Sequence, residues 1–312
     1  MNPLDLFGLR PLPQALRQAA LTLRGAPSIP PSRFGLSSLG IFFPRLAVAT
    51  WLGQQPGGDR VLVTNLFNRT QTPVADGWSV RRTRVRDFRG RAMTYDSHNG
   101  TDFTCPVGSL VVAPAPGRVV RVSSEFNRGG LKVVLDHGDG LMTTSNHLLE
   151  ALVRVGDTVR RGDPVARSGA SGIDMLTAFP WNAPHVHFNT WLNGVPVDPF
   201  ALDGEVSIWR AHNAPRPAAP DPAEPAPAAT AWDPEAISAL IAGCRDRDLA
   251  ADLAAAPDEL RATEAVFLHN YYPTAFAVRP PLVSSPYPRT PRLDLPLRDF
   301  SGVVMADTLR GG

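Results

Sequence analysis

Leu110-Val111-Val112, Arg118-Val119-Val120-Arg121-Val122 and Leu131-Lys132-Val133-Val134-Leu135 are short apolar runs, each bounded by glycine within a few residues. Gly117, Gly129-Gly130, Gly138 and Gly140 separate them, and Gly156, Gly162 and Gly169 continue the punctuation. Valine-rich runs of this length between turn residues predict strands, and several so close together predict a sandwich or barrel. Gly156-Asp157-Thr158-Val159 is echoed six residues later by Gly162-Asp163-Pro164-Val165, each reading as a tight turn that feeds a strand. The pattern extends from Val61 to about Ile208. The expected fold class is mainly β, an antiparallel β-sheet core with short helical, proline-rich extensions at both ends.

Outward from that stretch the character changes. Pro13 suits the start of a short helix ending at Arg24, with Leu16, Ala20 and Leu23 on one face. The expectation is that this face packs on the body of the protein. His212 to Ala231 carries six prolines between Pro215 and Pro227, so it reads as an extended linker. Asp233-Pro234 reads as a helix cap followed by a first-turn proline, ahead of a stripe of Ile237, Leu240, Ile241 and Cys244. The division expected is therefore 1–60 as an N-terminal extension, 61–208 as the β-domain, 209–231 as a Pro/Ala-rich linker, and 232–312 as a small helical region with a proline-rich tail. On that division, removal of everything from His212 onward should leave a folded core.

Composition narrows the function. A net charge of +2 carries no nucleic-acid footprint. Cys105 and Cys244 lack the spacing of a zinc-thiolate site and read as small apolar residues. Met1 to Arg10 has no basic segment followed by an apolar run. Ile41 to Leu52 is broken by Pro44 and Arg45 and is too short to span a bilayer, so neither a secretory signal nor a transmembrane segment is expected. Nothing in the sequence specifies an oligomeric state.

Four of the seven histidines fall at three points of the β-stretch: His98, His147, and His185 with His187. Residues two apart on a strand share a face, so His185 and His187 point together, away from Val186 and Phe188. Two adjacent imidazoles on an apolar strand are costly unless hydrogen-bonded or bound to metal. His98 and Asp102 can meet if Gly100 permits a turn between them. Imidazoles with a carboxylate are the usual ligands of a catalytic zinc, which takes three protein ligands and keeps one position open. His147, taken alone, reads as an exposed residue at a strand end.

These pieces together resemble the lysostaphin-type zinc metallopeptidases, the family that includes the LytM autolysin. The resemblance runs from about Trp78 to Leu202 and includes His98-Asn99-Gly100-Thr101-Asp102-Phe103, Asn146-His147-Leu148, Gly169-Ala170-Ser171-Gly172 and Pro184-His185-Val186-His187-Phe188. It implies the duplicated-hybrid-motif fold, with one zinc per chain held by His98, Asp102 and His187. It implies His147 and His185 as the catalytic histidines, without apportioning the proton steps between them. It also implies a peptide substrate in peptidoglycan cross-links and a place in the cell envelope or outside the cell. Asn146 and Asn189 depart from the family's usual residues beside the histidines, which bears on substrate preference. Gly172 to Ala183 inserts Phe179 and Trp181 just before the histidine pair, either as groove lining or as packing. The competing readings are a non-catalytic relative that binds the wall or activates another hydrolase, a carrier domain and a sugar phosphocarrier. The second needs a lysine on an exposed hairpin, and the only lysine, Lys132, lies inside an apolar run.

Overall fold

The computed structural model describes residues 2–311 apart from Val74 and Asp76. Alternation builds its centre. In β9 (His185–Leu192), Val186 and Phe188 are fully buried on the face opposite His185 and His187. They meet Val61 and Val63 of β1 (Arg60–Asn65) and Phe103 of β2 (Thr101–Thr104) in one apolar cluster. The other strands are β3 (Leu110–Val112), β4 (Gly117–Glu125), β5 (Gly130–Asp136), β6 (Leu141–Ala151), β7 (Thr158–Val159), β8 (Pro164–Ser168), β10 (Val195–Val197) and β11 (Gly302–Met305). The sheet runs β11-β1-β2-β9-β6-β5-β4-β7, with β10 on β9 and β8 joining β3 to β6. Its pairings are antiparallel except that β11 lies parallel to β1, with Arg60 opposite Gly302 and Val63 opposite Met305. The mainly β, antiparallel architecture expected from the sequence is the one observed.

Seven helices accompany the sheet among the described residues: α1 (Pro3–Leu6), α2 (Leu12–Arg24), α3 (Pro44–Trp51), α4 (Ile173–Thr177), α5 (Pro234–Ala242), α6 (Arg247–Ala255) and α7 (Asp258–Tyr271). None of the described helices is long and apolar enough to cross a membrane. The Asp233 side chain accepts from the amides of Glu235 and Ala236 and caps α5, as its sequence position suggested. The C-terminal helices bury Leu240, Leu253, Val266 and Phe267 against Val134 and Met142 of the sheet. They form a second layer rather than a satellite.

α2 packs differently from the expectation. Leu16 and Leu23 are exposed, whereas Ala15 and Thr22 are buried. Ala15 sits on Phe126 and Ile173, and the Phe126 amide donates to the Gln18 side chain at 2.5 Å. Small residues allow this close approach, and Leu12, Leu16 and Leu23 are left facing outward, whereas Leu21 packs toward the C-terminal helices.

Residues beyond 208 complete the main core. Leu293, Leu295 and Leu297 are fully buried in the same cluster as Phe103 and Phe188, together with Trp209 and Phe300. Arg161 donates to the Pro114 carbonyl and pairs with Glu224 at 2.5 Å and Asp294 at 2.9 Å, tying the proline-rich stretch to the β-stretch. The boundaries expected at 208 and 231 therefore follow composition and not packing. Proline-rich chain can lie on a core as well as bridge two, since its lost amide donors matter only where a ladder needs them.

Two buried histidines contribute to the response to acid. His137 lies between the Pro116 carbonyl and the Thr143 hydroxyl, each at 2.8 Å, and burial pushes it from 6.5 down to about 4. Burial does the same to His269, helped by Arg279. A depressed histidine favours the folded state above its unfolded pKa, and that contribution is lost as pH falls from 6.5 toward 4. Each is worth about 3 kcal/mol at pH 4 on this basis. Thermal melting followed by circular dichroism should show a falling midpoint over that window. His137→Gln should flatten the acid limb, and a melting point level from pH 7 to pH 4.5 would contradict the assignment.

Candidate active site

β2 and β9 pair with Asp102 opposite His187 and Thr104 opposite His185. Opposite residues share a face, so Asp102 reaches His187 directly, Oδ1 to Nδ1 at 2.8 Å. His98 arrives from the loop before β2, its Nε2 3.0 Å from Asp102 Oδ1 and 3.2 Å from His187 Nδ1. These three side chains offer ligand atoms within 4.8 Å of one another. Gly100 serves this convergence through its size: a Cβ there would stand 2.7 Å from the Phe188 carbonyl oxygen and 2.8 Å from His187 Nε2.

A hydrogen bond assigns the tautomer of His98. His98 Nδ1 faces the Leu66 carbonyl at 2.7 Å and donates to it, so Nε2 keeps its lone pair. His187 Nε2 lies 3.3 Å from Asn99 Oδ1 and 3.1 Å from Asn189 Nδ2, and its Nδ1 faces Asp102 Oδ1. Asn65 donates to the second oxygen of Asp102 at 2.9 Å. Burial opposes charge on Asp102, but the neighbouring His98, His185 and His187 outweigh it, and the carboxyl is held well below its usual range. Two imidazole nitrogens and a carboxylate oxygen thus aim at one point. The other ring nitrogen of each histidine is anchored to an oxygen, as metal-ligating histidines usually are. Neutral imidazoles facing each other this closely with a carboxylate fit a zinc ion, with room for three protein ligands and one open position.

His147 joins the site by breaking alternation. Asn146 lies opposite His187 in the β6–β9 ladder and shares its face, so a regular strand would turn His147 toward the core. His147 instead has φ of +60°, a left-handed angle uncommon outside glycine. Its ring comes within 4.8 Å of His185, centroid to centroid, and it is buried, not the exposed strand-end residue its local sequence suggested. His147 Nδ1 donates to the Ser171 carbonyl at 2.7 Å, and its Nε2 lies 3.5 Å from Asp174 Oδ2. Burial lowers His147 to about 4, against the opposing charge of Asp174. His185 Nδ1 donates to the Ala183 carbonyl at 2.8 Å, leaving Nε2 3.7 Å from Asp102 Oδ1.

The five residues singled out in the sequence therefore lie together. Others had no local signal. Asn146 donates to the His187 carbonyl at 2.7 Å and to Asn189 Oδ1 at 2.9 Å, and Asn189 donates to the Asn99 carbonyl at 2.9 Å, so this amide chain holds β9 in place. Tyr271 at the end of α7 donates to Asn146 Oδ1 at 2.6 Å. The cluster opens into a cavity of about 130 Å³ lined by Trp78, Arg128, Asn146, His147 and Tyr271. It also opens into one of about 450 Å³ lined by Leu23, Phe34, Leu39, Trp181 and His185, and Phe34, Tyr95 and Asp174 line both cavities. The aromatic insert is split between its two readings. Trp181 lines the larger cavity, whereas Phe179 packs edge-on against Phe7 and Trp51.

Comparison with known proteins gives the same grouping. Residues 96–199 match Peptidase family M23. An uncharacterised metalloprotease of Haemophilus influenzae is 36% identical over 105 residues, which are 34% of this chain and 21% of that one. The peptidoglycan DD-endopeptidase ShyB of Vibrio cholerae is 36% identical over 106 residues, 34% of this chain and 23% of that one. The lysostaphin catalytic domain of Staphylococcus simulans is 31% identical over 30% of this chain and 67% of that one, with a TM-score of 0.27. The matched stretch spans less than a quarter of the length of the first two relatives. Residues 96–199, which hold all five site residues, are a domain of the M23 metallopeptidases, the lysostaphin and LytM type.

Proposed function

We propose that the chain is a zinc endopeptidase that hydrolyses peptide amide bonds in peptidoglycan, with His98, Asp102 and His187 as metal ligands and His147 and His185 as catalytic histidines. The observation that carries this reading is the convergence of the three ligand atoms beside two further imidazoles whose free Nε2 atoms border the same space. When bound, zinc supplies Lewis acidity toward the scissile carbonyl and an acidified water. The chain's residues do the rest. With Nδ1–H given to Ser171, His147 takes a proton at Nε2, and Asp174 steadies the imidazolium so formed. His185, fixed through Ala183, presents Nε2 on the Asp102 side, where a proton taken up can be given to the leaving amine or hydrogen-bonded to the oxyanion. Burial keeps His147 neutral near pH 7, the form a base needs.

The test is incubation of the zinc-loaded protein with purified wall sacculi, with released fragments identified by mass spectrometry. New amino termini at cross-links are expected, and intact cross-links with full zinc occupancy would end the reading. Asp174→Asn is expected to keep zinc and to lower kcat roughly tenfold, the equivalent of one pKa unit of ion pairing at His147. Unchanged kcat would remove Asp174 from the mechanism.

A further inference from the structure

Four arginines that are buried or half-buried have carboxylate partners. Arg121 pairs with Glu125 and Glu264, Arg161 with Glu224 and Asp294, Arg89 with Asp87 and Asp307, and Arg69 with Asp198 and Glu205. Arg128, also half-buried, has none. Its side chain makes no hydrogen bond or ion pair with any described residue, and its Nε is a buried donor with no acceptor. The acids that could serve are engaged elsewhere. Glu125 is held by Arg121 and Lys132, and Asp174 stands beside His147.

The position is built rather than accidental. The turn between β4 and β5 is closed by the Arg128 amide donating to the Glu125 carbonyl at 2.9 Å. Gly129 follows at φ +71°, where a Cβ would press to 2.8 Å from Asn146 Oδ1. The guanidinium carbon lies 4.4 Å from the Trp78 ring centroid, so one face is covered by the indole. Arg128 lines the 130 Å³ cavity together with His147, Asn99 and Asn127. Burial pushes the group down to about 9, with Tyr272, Tyr271 and Asp174 offsetting this only in part, as befits a cation whose counter-charge is missing.

We infer that Arg128 anchors a free carboxylate of the substrate, on the His147 side of the scissile amide. This rests on the hydrolytic reading above and specifies the substrate class. A planar two-oxygen anion matches the fork of a guanidinium already fixed by stacking, and the cavity admits a carboxylate on a short carbon stem. The 450 Å³ cavity has no arginine or lysine among its lining residues, so the guanidinium belongs to the smaller cavity alone.

The experiment uses the full zinc-loaded chain and two synthetic cross-linked wall peptides. They differ only in whether the carboxyl next to the scissile amide is free or amidated. The wild type should favour the free acid at least tenfold in kcat/KM, chiefly through KM, as expected for loss of a charge-assisted bond. Arg128→Gln should erase that preference by losing ground on the free acid alone, and Arg128→Lys should keep part of it. Equal use of both peptides by the wild type, or an equal loss on both in Arg128→Gln, would overturn the inference. If neither peptide is cleaved, the hydrolytic reading has failed, and calorimetric titration of the same pair decides the anchor separately. Tighter binding of the free acid that disappears in Arg128→Gln keeps it, and equal binding ends it. Circular dichroism checks the fold of each variant. If the glutamine form does not fold, the wild-type preference together with Arg128→Lys still decides.

Discussion

His98→Ala and His187→Ala are expected to lose zinc and hydrolysis together, whereas His147→Ala should keep the metal and lose turnover. Each of the first two removes one of three donors that meet within 4.8 Å. A catalytic zinc with two remaining protein ligands is poorly held, and the remaining imidazole and Asp102 are left crowded without the cation between them. His147 sits outside that trio, with its Nε2 turned to Asp174. Loss of a single general acid–base group typically costs about a hundredfold to ten-thousandfold in rate, and the His147→Ala loss should fall in that range at full zinc occupancy. Metal content by mass spectrometry, read beside kcat at saturating zinc, separates the two classes. Retention of zinc by His187→Ala with its loss in His185→Ala would mean the roles within the histidine pair are exchanged.

Removal of residues from His212 onward is expected to yield insoluble or unfolded protein, the reverse of what the proline-rich sequence suggests. The cut deletes Leu293, Leu295, Leu297, Phe300 and Met305 from the core that also holds Phe103 and Phe188. A fully buried side chain of this kind contributes about 1.5–3 kcal/mol. Five of them together match the roughly 5–15 kcal/mol by which folded domains are stable at all. The cut also strips β1 of its parallel neighbour and leaves the buried Arg161 without Glu224 and Asp294. Expression of the truncated chain followed by gel filtration and circular dichroism is the measurement. A monomeric, cooperatively melting fragment would show that these contacts are dispensable.

The parts of the site that were legible in the sequence are those fixed by local periodicity. His185 and His187 share a face because strands alternate, and Asp102 meets them because its strand pairs with theirs. His147 was not legible as a site residue from its own surroundings, since its direction depends on a backbone angle that reverses the alternation. Arg128 and Tyr271 were hidden for another reason. What makes them notable is the company they keep across the fold, and no spacing encodes that. The C-terminal contribution to the core did leave a trace: Leu293-Asp294-Leu295-Pro296-Leu297 alternates with period two, and all three leucines are fully buried. The prolines around it masked a strand-like pattern with the look of a proline-rich tail.

The pairing of β11 with β1 also governs how the molecule bears load. The two strands run parallel, from Arg60 beside Gly302 to Val63 beside Met305. Tension entering at the start of β1 and leaving at the end of β11 therefore pulls on opposite ends of the ladder. The strands must slide past each other, and their hydrogen bonds resist as a group instead of parting one at a time. Such a seam is a mechanical clamp, and it fastens two segments more than 230 residues apart in the chain at the edge of the sheet whose next strand, β2, carries Asp102.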